Sequence, residues 1–438
     1  MGRGTTTGEV RRPAYTSILR NAFGRKAGPF MMIATKFKPS HWLPQGGISR
    51  LCLMFYGIMA VGFCLSMLGC GGSSTHEDTA QESSPTTDLY PDKVVLKHAQ
   101  GFSIRYAENY KLIEIYTSAD TSRYVLLERG TKAPQGLGSA TTIEIPIRNM
   151  VAMSSMHIGM LTFLESEKVL AGLGSLQYVY SPKVLELIAA GKIKEVGIDQ
   201  GIDQEKLLVM HPDLVMTMGG PESGRQQFPV LQQAAIPVLA NAEWLETTPL
   251  ARAEWVKLLA ALLNKEALAN KKFAQIEEAY HRLKNLASAV PSKPQVLSGL
   301  NTKDSWYLPA GDNYMAVFFK DAGGAYPWHN TAGNASLPLN FESVYPKALT
   351  ADIWLNVGFD PADTQQGILA IDTRYADFKS VKTGKMYSYN NRVNDGGAND
   401  FFESGMMAPE VVLADLIKIL HPDLLPEHTL VYYKHLPK

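Results

Sequence analysis

The chain has 438 residues, more than one ordinary domain, and its hydrophobic fraction of 45% excludes a disordered composition. The 42 basic and 42 acidic residues cancel, but residues 1–70 hold nine of the basic and one of the acidic ones, which leaves 33 basic and 41 acidic residues in 71–438. Nucleic-acid binding requires a concentrated basic face, so the mildly acidic body argues against such a partner.

An uncharged apolar run covers residues 51–69, with Arg50 before it and Cys70-Gly71-Gly72 after it. A basic segment, an apolar segment and small residues at a cleavage point are typical of an export signal. Residues 67–70 (MLGC) resemble a bacterial lipobox, with Met where Leu is commoner. The resemblance implies that Cys70 is lipidated after cleavage. An uncleaved signal anchor is the alternative, since about 20 apolar residues can span a bilayer.

We therefore predict a signal peptide in 1–70. A start at Met31 or Met32 would give a more ordinary leader, which predicts that Met1 lies upstream of the true start. Residues 71–92 are rich in Ser, Thr and acidic residues and predict a disordered tether. The body has no cysteine, so it has neither a disulfide nor a thiolate metal site. The predicted location is the cell envelope, with a lipid anchor in a membrane and the body in the periplasm or on the extracytoplasmic face.

Two kinds of pattern divide the segment that we predict as an N-terminal lobe, 93–247. Four alternating runs predict an antiparallel β-meander: 102–108, 111–118, 123–129 and 142–148. From residue 151 onward short strands alternate with helices, which is typical of parallel βαβ units. The strands are predicted at 151–155, 212–220 and 236–241, and the helices at 182–191, 203–211 and 228–235.

Linking helices are predicted over 248–290, beginning at Thr248-Pro249 and breaking near Asn264. A second strand–helix alternation in 291–438 predicts a C-terminal lobe. Its strands are predicted at 295–301 and 351–358, and its helices at 312–322, 341–349 and 408–420. The expected fold is α/β: two Rossmann-like lobes with parallel sheets joined by a long rigid helix, plus the N-terminal meander.

Several stretches of the body resemble one family: residues 195–223, 314–324, 340–344, 351–358 and 397–405. They are similar to the helical-backbone (class III) substrate-binding proteins of ABC importers, which serve ferric siderophores, haem and cobalamin. The resemblance covers about residues 145–430. It implies a monomeric binding protein without enzyme activity or a cofactor of its own. Such a protein captures a metal chelate between its lobes and delivers it to a permease dimer with its ATPase.

The resemblance also implies one permease-docking glutamate in each lobe. Glu222, in the loop after Gly219-Gly220, and Glu342, at the start of a helix in the second lobe, match those positions. Charge pairs at a docking surface set orientation and association rate more than affinity, which suits a protein that must dock and leave. A solvated surface acid is the alternative interpretation of each residue.

Loops at strand ends predict the ligand contacts, because the carboxyl ends of parallel strands share one edge of a sheet. Aromatic side chains there offer a large rigid contact area at low entropic cost. In the first lobe the candidates are Ser154, Ser155, Met156, His157, Tyr178, Tyr180, Gly219 and Trp244. In the second lobe they are Trp306, Tyr307, Tyr314, Tyr326, Trp328, His329, Asn390, Asn391, Asn399 and Asp400.

The ligand itself stays open between an iron chelate, as ferric siderophore or haem, and cobalamin, with the iron chelate as first choice. A receptor for bare zinc or manganese is less favoured, because only His157 and His329 are candidates to face one cleft. An enzyme is disfavoured, since the sequence lacks a nucleophile elbow, a phosphate loop and HExxH. A purely structural surface lipoprotein fits the two-lobe pattern poorly.

Overall fold

The computed structural model describes residues 89–116, 121–132, 136, 138, 140–198, 201–219, 228–302 and 305–438. All described residues belong to one compact unit. The predicted signal peptide, Cys70 and the predicted tether as far as residue 88 lie outside the described residues. None of the helices that the structure describes combines the length and the apolar character needed to cross a membrane.

The first sheet contains β1 (Phe102–Tyr106), β2 (Tyr110–Tyr116), β3 (Thr121–Glu128) and β4 (Thr141–Ile145), in that order across the sheet. The first three strands pair antiparallel as predicted, but β4 runs parallel to β3. The antiparallel prediction is therefore wrong for the last pair. The segment 129–140 is a dozen residues long, which is enough for the chain to cross over and re-enter the sheet in the same direction.

The N-terminal lobe is built on a fully parallel sheet whose strand order is β7-β6-β5-β8-β9. Its strands are β5 (Met150–Ala152), β6 (Leu170–Leu173), β7 (Lys194–Glu195), β8 (Leu214–Met218) and β9 (Val238–Asn241). The connecting helices are α1 (Ser155–Phe163), α2 (Pro182–Ala189), α3 (Gln204–Met210) and α4 (Pro229–Gln233). Strand order reverses at β5, and such a switch point leaves a crevice at the strands' carboxyl ends.

Three helices form the spine between the lobes: α5 (Pro249–Glu254), α6 (Val256–Leu263) and α7 (Glu266–Ser288). Thr248 caps the first one, its hydroxyl accepting a hydrogen bond from the N–H of Ala251, as the sequence predicted. Asn264 ends α6 in the left-handed conformation, with φ of 53°. The 23 residues of α7 give a rod of about 35 Å, at 1.5 Å per residue. The helices begin at Thr248-Pro249 and break near Asn264, as the sequence predicted.

The C-terminal lobe has a sheet of order β10-β14-β15-β16, with the first three strands parallel and the last antiparallel. A small antiparallel sheet, β11-β12-β13, lies beside it. The strands are β10 (Val296–Ser298), β11 (Asn301–Thr302), β12 (Ser305–Pro309), β13 (Ser336–Leu339), β14 (Ile353–Leu355), β15 (Met386–Ser388) and β16 (Lys434–His435). The helices are α8 (Tyr314–Asp321), α9 (Phe341–Ala348), α10 (Gln365–Ile371), α11 (Lys379–Lys382) and α12 (Pro409–Leu420).

Candidate ligand-binding site

The carboxyl ends of the two parallel sheets meet between the lobes. The hydroxyl of Ser155, just after β5, donates to the carbonyl oxygen of Phe402 at 3.3 Å. The side-chain amide of Asn394, after β15, donates to the carbonyl oxygen of Val179 at 2.9 Å. These two contacts join residues that follow β5 and β6 to residues that follow β15. Residues of both lobes therefore close the crevice predicted at the strand ends.

Five exposed aromatic rings lie at or near strand ends of the two lobes. Each leaves between 44% and 67% of its residue surface exposed, although rings of this size normally pack inside. Four follow strands β6, β9, β14 and β15, and the fifth belongs to a residue of β12 whose backbone carbonyl lies next to Gly299, the residue after β10. The five are Tyr178, Trp244, Tyr307, Phe359 and Phe402, and we call them the aromatic rim. Among the described Phe, Tyr and Trp residues, only Tyr116 of the meander is comparably exposed.

Tyr389 forms the base on which two rim residues of the C-terminal lobe rest. Its ring lies 6.3 Å from that of Phe359 and 5.4 Å from that of Phe402, both in edge-to-face arrangement. Below it, Phe401 stacks on Tyr389 at 4.7 Å. Edge-to-face and offset-stacked rings attract each other beyond their buried area, so the exposed rings are held in fixed positions.

One half-exposed cation lies beside the junction. Arg392 donates from Nε to Oδ2 of Asp400 at 2.7 Å, and its guanidinium lies 5.4 Å from the ring centre of Tyr180. An arginine held by a buried carboxylate presents its remaining N–H groups in a fixed fork. The arrangement can therefore receive a ligand carboxylate or another acceptor.

A buried carboxylate, that of Glu403, crosses between the lobes. Its two oxygens accept hydrogen bonds from the N–H groups of Tyr180 and Ser181, each at 2.8 Å, just before α2. Burial raises the pKa of Glu403 to about 7, and the two backbone hydrogen bonds lower it only in part. This contact joins the C-terminal lobe to the start of α2 in the N-terminal lobe.

The profile of the periplasmic binding protein family matches residues 175–393, which is half of the chain. The chain belongs to this family. It is a periplasmic solute-binding protein of the ABC-transporter type, with the helical-backbone architecture and the mixed α/β fold that the sequence predicted. The matched region runs from the loop after β6 to the loop after β15 and thus includes most of the aromatic rim.

The chain is similar to one curated relative and to two solved structures, as follows. An uncharacterized lipoprotein, MJ0878, of Methanocaldococcus jannaschii is 25% identical over 85% of this chain and 93% of its own length. The nickel–histidine complex of CeuE from Helicobacter pylori has a TM-score of 0.50 and 14% identity over 72% of this chain and 90% of that one, and shows the shared fold. The haem-binding protein RhuT from Roseiflexus has a TM-score of 0.49 and 18% identity, over 63% and 99% of the two chains. Family and lipoprotein relative indicate an extracytoplasmic location.

Several residues that the sequence singled out lie at the junction of the binding protein. Ser155 and Tyr180 touch the other lobe, and Tyr178, Trp244 and Tyr307 belong to the aromatic rim. Tyr314 is half-buried, with the guanidinium of Arg252 4.0 Å from its ring centre. The remaining strand-end candidates are Ser154, Gly219, Asn390, Asn391, Asn399 and Asp400, placed after β5, β8 and β15.

Other candidates are placed inside the lobes. Trp306 is fully buried and stacks on Trp354 at 5.6 Å, while Tyr326 and Trp328 are almost fully buried and lie 5.6 Å apart. His329, by contrast, is exposed and its ring contacts the carbonyl oxygen of Tyr326. As placed, the three buried rings pack in the core of the C-terminal lobe and present no open surface.

Helix α1 begins where the sequence predicted a loop. Ser154 caps it by accepting a hydrogen bond from the N–H of Met156. Met156 and His157 therefore lie in its first turn, and both are buried. Neither ring nitrogen of His157 has a hydrogen-bond partner among the described residues. Burial lowers the pKa of His157 to about 3, so the imidazole is neutral.

Sequence reasoning missed Phe359, Arg392, Phe402 and Glu403. Phe359 follows the predicted strand 351–358 directly, so the strand-end rule applied there would have found it. The other three lie in or between the motifs that carried the resemblance, where only Asn and Asp side chains were selected. Their roles depend on contacts with the other lobe, which no local pattern reveals.

Of the two predicted docking glutamates, Glu222 lies outside the described residues. Glu342 lies in the first turn of α9, whose cap Asn340 accepts a hydrogen bond from the N–H of Ser343. Its side chain is largely exposed, and Arg374 approaches it to 3.8 Å. Arg374 is held more closely by Asp372, at 2.6 Å, so Glu342 keeps most of its charge available.

Proposed function

We propose that the binding protein captures an iron chelate of low net charge, a haem or a ferric siderophore, and delivers it to an ABC permease dimer with its ATPase. The aromatic rim carries this proposal, because five exposed rings at or near strand ends of both lobes suit a flat, largely apolar ligand. The rings of Phe359 and Phe402 are held against Tyr389, which reduces the ordering cost of binding a bulky, rigid chelate.

The charge at the junction supports a ligand with few negative groups. Arg392 is half-exposed and already pairs with Asp400, while Arg252, which contacts Tyr314, is buried and paired with Glu243. A strongly anionic catecholate chelate would favour several convergent cations. One arginine suits a ligand that carries one or two carboxylates or hydroxamate oxygens.

Titration of the full-length chain in detergent with haem, a ferric hydroxamate and cobalamin tests the proposal. We expect calorimetric binding of one iron chelate at 1:1 stoichiometry and quenching of Trp244, the one exposed tryptophan of the described residues. Tyr178→Ala should weaken binding at least tenfold, whereas the matched variant Tyr116→Ala, an exposed ring of the meander, should not. Preferential binding of cobalamin or of bare zinc, or equal losses in both variants, would overturn it.

We further propose that the ligand leaves unchanged, since the role is capture and release rather than catalysis. The test is to incubate the loaded protein, extract the chelate and compare it with the input by mass spectrometry. Recovery of the input chelate alone is the expected result. A protein-dependent product that grows with time would contradict the proposal and indicate an enzyme.

The lipid anchor at Cys70 is also a proposal. Its support is the MLGC sequence at 67–70 and the similarity to a curated lipoprotein. Metabolic labelling with a clickable fatty acid should mark the wild-type chain in the membrane fraction, and Cys70→Ser should abolish the label. Labelling that persists in Cys70→Ser but disappears in Cys64→Ser would move the modification to another cysteine.

A further inference from the structure

Three potential metal ligands meet where the segment before β1 lies against the spine helix α7. Nε2 of His98 is 2.8 Å from Oε1 of Glu277, and ligand atoms of His98, Glu277 and His281 all lie within 4.8 Å of one another. Glu277 and His281 are four residues apart and therefore on one face of α7. We propose that this cluster binds a divalent transition-metal ion, with Zn²⁺ as the best-suited ion.

The backbone that carries His98 is held in place by two buried carboxylates. Glu254 accepts hydrogen bonds from the consecutive N–H groups of residues 97, 98 and 99, at 2.7 to 3.1 Å. Glu246 accepts those of residues 100 and 101, at 2.9 and 2.8 Å. Five successive amides are thus fixed by carboxylates at or near the spine helices. The hydrogen-bonded backbone thus holds His98, and the helix holds Glu277 and His281. This arrangement lowers the ordering cost of binding an ion.

The ligand set selects the class of ion. Two imidazoles and one carboxylate, with a fourth position left for water, suit Zn²⁺, whereas Mg²⁺ and Ca²⁺ prefer all-oxygen sites. Zinc–ligand bonds of about 2.0 to 2.1 Å place the ligand atoms of a tetrahedral site roughly 3.3 Å apart. His281 is exposed and can rotate to close the remaining distance.

Lys97 currently supplies the positive charge that the ion would bring. Its Nζ lies 2.7 Å from Oε2 of Glu277, and its side chain is 59% exposed. An exposed ammonium pairs weakly with a carboxylate and costs little to displace. The contact therefore competes with the ion without blocking it, and a variant that lacks the ammonium should bind metal more tightly.

This cluster is separate from the aromatic rim, which lies at the strand ends rather than on α7. An ion bound here would fasten residues 97–101 to the spine helix instead of serving as transported cargo. Binding to the folded state alone raises its stability by mass action. The bound ion should therefore raise the melting temperature and slow amide exchange in that segment.

Zinc titration of the metal-stripped full-length chain in detergent, by competition with a chromophoric chelator, tests the site. His281→Gln should lower the affinity for one zinc ion per chain at least tenfold, and Lys97→Met should raise that affinity. The control His211→Asn replaces another exposed histidine, in a left-handed conformation that Asn tolerates. Because the cysteines of the leader are present in all variants, only the difference between variants counts.

The expected outcome is a zinc-dependent rise of several degrees in melting temperature for the wild type and the control, and none for His281→Gln. Tyr178→Ala should leave zinc affinity unchanged, which separates this site from the proposed chelate site. Equal zinc affinity and equal thermal shifts in wild type and His281→Gln, both folded by circular dichroism, would overturn the proposal and leave His98 and Glu277 as a hydrogen-bonded pair only.

Discussion

The carboxylate of Glu403, from the C-terminal lobe, accepts the N–H of Ser181 at the start of a helix in the N-terminal lobe, 222 residues earlier in the chain. The neighbouring N–H, that of Tyr180, binds the second oxygen. A single side chain thereby ties the two lobes together at the edge of the aromatic rim. Its protonation state should affect both stability and ligand access.

Glu403 makes stability depend on pH near neutrality. Its pKa is raised from 4.5 to about 7 by burial. Between these two pH values the folded state therefore holds a proton that the unfolded state has lost. The resulting stability is fully present below pH 4.5 and is lost as pH rises through 7. From the pKa shift alone this amounts to about 3 kcal/mol at most, at 1.36 kcal/mol per pKa unit.

Urea unfolding at a series of pH values checks this. We expect the free energy of unfolding of the wild type to fall between pH 5 and 8 relative to that of Glu403→Gln, which has no proton to lose. Comparing the two chains cancels other titrations, including that of His157, whose lowered pKa acts in the opposite direction. Parallel curves for the two chains would contradict the assignment.

Gly159 permits the close approach of the lobes at α1. A methyl group there would overlap the backbone carbonyl of Glu403. Gly→Ala inside a helix ordinarily stabilises by about 1 kcal/mol, but Gly159→Ala should destabilise and weaken chelate binding, because the loop that carries Phe402 must move. Gly367→Ala, in exposed α10 where a methyl meets only ordinary contacts, is the matched control and should stabilise. Thermal melts measure the stability and calorimetry measures chelate binding. The prediction requires that the stability changes of the two variants have opposite signs.

Glu342 should matter for transport and not for binding. Charge reversal by Glu342→Lys places an ammonium at the predicted permease-docking position, so uptake should fall at least tenfold while chelate affinity stays within twofold. Reversal of Glu278, an exposed acid on α7, is the control and should leave uptake intact. Uptake assays in cells with the matching permease measure the effect. Equal uptake by both variants would make Glu342 an ordinary surface acid.

The order of lobes and the spine could be predicted because long amphipathic helices carry a strong local signal. Strands of three to five residues carry a weaker signal: five of that length (β5, β8, β9, β10 and β14) were predicted, whereas β6 and β15 were missed. In β12 the sequence Ser-Trp-Tyr-Leu-Pro alternates, but local pattern does not say which phase faces the core. The structure turns Trp306 inward and Tyr307 outward. Of these two ligand candidates, only Tyr307 therefore offers an exposed ring.

Some site residues could be predicted from their neighbours in the sequence, whereas others depend on contacts with residues far away in the chain. Trp244 was predicted because it follows the predicted strand 236–241, and a position after a strand is a local property. Tyr178 was a candidate although β6, the strand that it follows, was not predicted. Glu403 lies in a quoted motif, yet its role depends on two amides more than 220 residues away. The helix at Ser155 was missed because its burial, and hence the direction of Met156 and His157, is decided by packing against the other lobe.

Lys111 is the buried charge on which the meander's attachment to the spine depends. It is fully buried, and Nζ donates to Oε1 of Glu266, to Oδ1 of Asn264 and to the carbonyl oxygen of Ala261, between 2.5 and 2.8 Å. Burial lowers the pKa of Lys111 and raises that of Glu266, so each charge relies on the other. Lys111→Ala should cost about 3 to 5 kcal/mol, because it leaves Glu266 buried and unpaired.

A double variant separates that penalty from the net contribution of the pair. Lys111→Met with Glu266→Gln removes both charges while keeping similar volumes, and such replacements are often neutral or stabilising. We therefore expect the double variant to recover most of the stability that Lys111→Ala loses, as measured by urea unfolding. If the double variant is as unstable as Lys111→Ala, the hydrogen bonds to Asn264 and Ala261, rather than the ion pair, attach the meander to the spine.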